Sequence, residues 1–128
     1  MKEQVSVSIL NKDQTVPVEE VSAGTLHEKN GKHYCFLENG DRLIWTDTEL
    51  SVRRRGTELL FRNESSLSCL YPTELGAIPL TFEGISLSVR KTEDGHHIEL
   101  FYRISQNGEP GYDASLIIKI CALRRIKS

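Results

Sequence analysis

The chain has 128 residues, 38% of them hydrophobic and 27% charged, a balance that lets one domain spanning 1–128 bury a core of its own. Its formal net charge of −2 excludes general nucleic-acid affinity, which leans on a surplus of Lys and Arg. No apolar run approaches the ~18 residues of a membrane helix, so no membrane partner is expected.

The start, Met1-Lys2-Glu3-Gln4-Val5-Ser6, lacks the apolar stretch of a secretory leader. The three cysteines, Cys35, Cys69 and Cys121, are odd in number and each lies in an apolar run. They read as small buried hydrophobes in a reducing cytoplasm. Val5, Val7 and Ile9 alternate with serines, as a half-buried strand does. The stretch 16–29 holds Val18, Val21, Ala23 and Leu26; Pro17 marks an edge or a strand start, and Gly24 a bulge or bend.

Four dipeptides then organise the chain: Asn30-Gly31, Asn39-Gly40, Asp94-Gly95 and Asn107-Gly108. Two-residue hairpin loops need φ > 0 at their central positions, which Asn, Asp and Gly tolerate. The spacing leaves 32–38 and 96–106 as single strands with a tight turn at both ends. Within 32–38, Tyr34 and Phe36 share one face and Cys35 and Leu37 the other, so both faces are expected to be covered. Leu43 and Trp45 share a face; a turn at Asp47-Thr48 leads to Leu50, Val52 and Arg54, closed by Gly56. Leu59, Phe61, Leu67, Cys69 and Tyr71 continue the alternation through a polar turn at 63–66.

After Gly76 the parity changes. Ile78, Leu80 and Phe82 keep one phase and Ile85, Leu87 and Val89 the opposite one, with Glu83-Gly84 between them. One inserted residue produces that flip, so a β-bulge is expected there, bending the strand as a closing barrel requires. Ile98, Leu100, Tyr102 and Ile104 form a clean period-two run. The stretch 116–123 is nearly all apolar and fits a helix almost as well, but its isoleucines favour a strand. The fold class expected is all-β, an antiparallel up-and-down barrel of roughly eight to ten strands, with an open sandwich as the alternative.

The run Glu49-Leu50-Ser51-Val52-Arg53-Arg54-Arg55-Gly56, then Phe61, Tyr71-Pro72-Thr73-Glu74-Leu75-Gly76 and Ile98-Glu99-Leu100-Phe101-Tyr102 resembles the YwiB-like proteins. The likeness runs from about Gly24 to the last strand. It implies a small bacterial protein with a calycin-like barrel and no established function. The segments 38–45 and 56–61 are shorter than that family pattern, which would lower one rim of the barrel. Calycin-like barrels often hold small apolar ligands, an analogy at the level of fold alone.

Arg54 is the first candidate for a site. By parity it shares the inner face of Leu50 and Val52, and arginine is rarely buried unless its guanidinium is paired. The functional reading is a cation facing a ligand's carboxylate or phosphate. The structural reading, an arginine at the barrel's end paired with an internal Glu or capping the interior toward solvent, outweighs it because unpaired burial is so costly. Arg53 and Arg55 fall on the outer face. Trp45, Tyr71 and Tyr102 are candidates to line a pocket with Arg54, against the commoner outcome of plain core.

The histidines His27, His33, His96 and His97 show no metal-ligand spacing, and His96 and His97 point to opposite faces of one strand. No metal and no cofactor is expected. There is no nucleophile elbow, phosphate loop or Cys–His motif, and Glu99 and Glu109 read as exposed charges rather than catalytic carboxylates. The tail Arg124-Arg125-Ile126-Lys127 is too short to argue for nucleic acid. The expected function is therefore non-enzymatic: a cytoplasmic barrel binding a small anionic or amphipathic molecule in or at its mouth. The alternative is an interaction or structural module whose barrel is filled by its own side chains.

Overall fold

The computed structural model describes residues 2–12, 17–54, 56–106, 109 and 111–123, with Pro72 and Thr73 as backbone only. Val16, Arg55, the Asn107-Gly108 turn and the tail 124–127 lie outside the described residues. Ten strands form one sheet: β1 (Lys2–Lys12), β2 (Val18–Lys29), β3 (Lys32–Leu37), β4 (Arg42–Trp45), β5 (Glu49–Arg54), β6 (Thr57–Arg62), β7 (Leu67–Thr73), β8 (Gly76–Lys91), β9 (Gly95–Gln106) and β10 (Tyr112–Ala122). Their order is β6-β5-β4-β3-β2-β1-β10-β9-β8-β7, and every neighbouring pair is antiparallel. This is an all-β up-and-down barrel, nearly closed. No helix among the described residues is long and apolar enough to cross a membrane.

Period-two alternation decides what lies inside. Val5, Val7 and Ile9 of β1, Cys35 and Leu37 of β3, Leu43 and Trp45 of β4, and Leu50 and Val52 of β5 are buried. Ile98 and Leu100 of β9 and Leu116, Ile118 and Ile120 of β10 complete the same core. Each fully buried aliphatic side chain contributes about 1.5–3 kcal/mol relative to exposure, so the inward set dominates the stabilising side. The stretch 116–123 is thus strand as far as Ala122, where β10 ends.

The bulge falls where the parity flip placed it. The β8–β9 register shifts between Glu83 and Ser86, with Gly84 at φ 58°. Phe82 and Ile85 are consequently both buried although they are three residues apart. The bulge also helps close the barrel. Among the described residues no ladder joins β6 to β7, the two ends of the strand order. The chain that crosses this seam instead bonds to β8 just past the bulge. Glu64 N–H donates to Ile85 C=O at 2.9 Å, and Leu87 N–H donates to Asn63 Oδ1 at 3.1 Å.

Several local expectations are corrected. Asn30-Gly31 is the tight hairpin turn expected, with φ 52° and 79°. At Asn39-Gly40 only Gly40 has positive φ; the Asn39 side chain instead accepts the Asp41 N–H at 2.9 Å, an Asx turn that ends β3 at Leu37. Gly24 is not a bulge: β2 keeps unbroken register with β1 through it, and its ladder with β3 ends at it. A Cβ there would lie 3.0 Å from Phe36 O and 3.3 Å from Cys35 Sγ, so the glycine serves close packing. The outer face of β3 is not covered, since Phe36 remains about half exposed. Of the cysteines only Cys35 is buried; Cys69 is half-buried and Cys121 lies exposed on the outer face of β10.

Candidate functional site

The middle of the barrel is packed shut by Val7, Leu50, Leu100 and Ile118, all fully buried. The cavities that inward-facing residues line sit at the two ends. One end gathers Arg54, Tyr71 and Tyr102, and the other gathers His33 and His96 above Trp45.

At the first mouth β5 carries its inward parity to its last residue, so Arg54 follows Leu50 and Val52 to the rim. Two acidic residues meet it there. Arg54 Nε donates to Asp41 Oδ2 at 3.3 Å, and its Nη2 pairs with the Glu20 carboxylate. Glu20 reaches the rim because β2 runs past the end of β3. Leu37 is the last β3 residue in the ladder, opposite Gly24, and the chain then turns away after Glu38 N–H bonds to Ala23 C=O. Asp41, only 13% exposed in its side chain, also accepts a bond from Asn39 Nδ2 at 3.2 Å. One guanidinium thus faces two carboxylates, and the cluster carries a net negative charge. Paired with these acids and partly exposed, the arginine caps the barrel end.

Below this rim lies a cavity of about 220 Å³ with Leu59, Phe61, Leu80 and Phe82 in its wall. Its aromatic corner is tight. The Phe61 and Phe82 rings are perpendicular at 5.5 Å, and Tyr102 packs on both, at 5.9 Å from Phe61 and 5.3 Å from Phe82. Tyr71 stands at the edge, 37% exposed. Three of the four candidate residues thus converge on one cavity. Trp45 does not: it belongs to the opposite end and is 99% buried, being 1% exposed.

At that second mouth the register places His33 opposite Trp45, with the rings stacked at 5.2 Å and 16°. His96, from the far wall, comes to 4.6 Å from His33 and 5.3 Å from Trp45. A polar cavity of about 520 Å³ lies outside this three-ring plug, with Glu3, Glu28 and Lys91 around it. The Glu28 carboxylate is 3.8 Å from His33 Nδ1. Burial pushes the His96 pKa below its ordinary value, and His33 and Lys91 push the same way, while Glu28 and Glu3 oppose them. His97 lies on the outer face against Glu99, 2.9 Å away. Among the described residues no group of three or more His, Cys, Asp or Glu converges as a metal site would require.

The three-ring plug is what sequence reasoning missed. Its parity was readable, since His33 shares a face with Cys35 and Leu37, and His96 with Ile98 and Leu100. That strands β3 and β9 bring these two rings together across the barrel was not.

Fold and cavities together define a class: an up-and-down antiparallel barrel, solid through its middle, with one small apolar recess and one polar one at opposite ends. The chain belongs to the family described as Domain of unknown function (DUF1934), whose family model matches residues 4–118. Among solved structures it is similar to the ywiB protein from Bacillus subtilis, with a TM-score of 0.60 over 92% of each chain. The two are 14% identical, so that likeness shows the fold alone. No curated protein matches the chain.

Proposed function

We propose that the recess below Arg54 binds a small amphipathic molecule, its apolar body between Leu80, Phe61, Phe82 and Tyr102 and its polar end at the rim beside Tyr71. The observation that carries this reading is an aromatic-walled apolar cavity open beside a charged rim. The volume, about 220 Å³, limits the ligand to the size of one or two rings. Asp41 and Glu20 already neutralise Arg54, so an uncharged polar end suits the rim better than the anion that Arg54 alone suggested.

The test uses a neutral two-ring fluorophore of polarity-sensitive emission, 6-propionyl-2-(dimethylamino)naphthalene. Binding with a blue-shifted, enhanced emission supports the reading if it is lost when Leu80→Trp or the gentler Leu59→Phe fills the recess. Val21→Trp, on an exposed outer position, should leave it intact. Unchanged binding in both filled variants overturns the proposal. The second reading is a barrel filled by its own side chains, and the packed central belt favours it. It predicts no binding in the parent protein at all.

A further inference from the structure

Of the two strands that end the sheet order, β6 carries Glu58 and Arg62, whereas β7 carries no charge anywhere in Leu67-Ser68-Cys69-Leu70-Tyr71-Pro72-Thr73. Open strand edges template pairing with other chains, and proteins ordinarily guard them with charged residues or proline. Here Pro72 is the one such guard. Leu70 is 68% exposed in the middle of this edge, and Leu75 at the hairpin tip is 99% exposed.

The register fixes which backbone groups the edge offers. Thr73 and Gly76 are the closing pair of the β7–β8 hairpin, so residues 67, 69, 71 and 73 exchange bonds with β8. The N–H and C=O of Ser68 and Leu70, and the C=O of Pro72, point the other way. Among the described residues no ladder takes up these groups; β6 stands across the seam on that side but is not paired with β7.

We propose that β7 pairs antiparallel with β7 of a second copy, about a two-fold axis through Leu70. In that register Leu70 exchanges two hydrogen bonds with Leu70 of the second copy, and each Ser68 N–H donates to the facing Pro72 C=O. The N–H that proline lacks removes only the two reciprocal bonds. A strand with no charge meets itself without like-charge opposition, and the two exposed leucines cover each other at the axis. The interface is isologous and closes as a dimer, so it does not propagate into a fibre.

Sedimentation equilibrium of the parent protein should show a mass rising with concentration from 14.5 kDa toward twice that value. Leu70→Lys should hold the mass at the monomer value at every concentration, and its urea midpoint should match that of the parent at concentrations where the parent is monomeric. Val21→Lys, equally exposed but on β2, should associate like the parent. Register is read by cross-linking in a Cys121→Ser background, which removes the exposed native thiol. A hydrogen-bonded antiparallel pair separates Cα atoms by about 5.5 Å, inside the disulfide range. Oxidised Leu70→Cys should therefore give a 70–70 linked dimer by peptide mapping, whereas Ser68→Cys, which faces residue 72, should not. A parent that stays monomeric, a Leu70→Lys protein that still associates, or a cross-link at 68 rather than 70 overturns the proposal. The first of these outcomes would leave the edge to a strand from a different protein.

Discussion

Replacing Arg54 by Met removes the guanidinium and keeps the apolar stem, so the change reads the charge alone. Exposed ion pairs contribute about 0–1 kcal/mol, and breaking a fully buried pair costs about 3–5 kcal/mol. The Arg54 side chain is 30% exposed and that of Asp41 13%, between those limits. Two features soften the loss: Asp41 keeps the bond from Asn39 Nδ2, and Glu20, 49% exposed, returns to water. The expected cost is about 2 kcal/mol, read as a shift of the urea midpoint at constant slope. Trp45, the single tryptophan, is buried in the core and reports the transition by its emission. A cycle with Asp41→Asn should give a coupling of about 1 kcal/mol, and one with Glu20→Gln should give less. A loss below about 0.5 kcal/mol, or no coupling to Asp41, would refute the cap. A gain in stability would mean that desolvation of the three charges outweighs their attraction.

Gly95→Ala places a Cβ 1.8 Å from the Ile120 carbonyl oxygen, which cannot yield without parting β9 from β10; a loss of about 3 kcal/mol is expected. Gly40→Ala meets nothing within 4 Å and should lose only the left-handed strain, about 1–2 kcal/mol, so equal losses in urea would refute the comparison. His96 is held below its ordinary 6.5 by burial, then by His33 and Lys91. Its contribution is present above pH 6.5 and is lost as pH falls from there through the folded value. The emission of Trp45 should quench as the adjacent imidazole protonates, with a midpoint below 6.5; a His96 midpoint at or above 6.5 by NMR would refute the desolvation. Thiol titration should find Cys121 fast and Cys35 slow, because burial pushes the Cys35 pKa up to about 11; a single rate for all three would contradict their placement.

The barrel was legible in the sequence because its determinants are local. Asn30-Gly31 encodes a turn within two residues, the phase flip around Gly84 encodes the bulge within eight, and alternation alone puts Arg54 on the face of Val52. Asn39-Gly40 misled because a side chain, not a second positive φ, completes that turn. The cysteines misled because an apolar run on the outer face of β10 reads like one on the inner face. Period two gives the alternation but not which side is in. The candidate site was legible in part: parity and aromatic character selected Arg54, Tyr71 and Tyr102, but not the acids Asp41 and Glu20 that neutralise the arginine. Glu20 meets it only because β2 outruns β3, a consequence of where a distant turn falls. His33 and His96 lie 63 positions apart in the numbering, and no spacing rule spans that distance.

Eight of the nine ladders join strands that follow one another along the chain, and the ninth joins β1 to β10, where Val5 faces Ala122. Hairpins zip quickly because the loop each must close is short, while the cost of bringing together residues so far apart rises with the logarithm of the intervening length. Sequence separation in this fold is therefore not spread over the sheet but concentrated in one pairing. Growth hairpin by hairpin within β1–β6 and within β7–β10 closes only short loops, so the contact-order argument makes the meeting of β1 with β10 the expected slow step of folding. Opening the backbone at 63–66 and joining the ends beyond β1 and β10 would turn that distant pairing into one more hairpin, and the same barrel would fold faster.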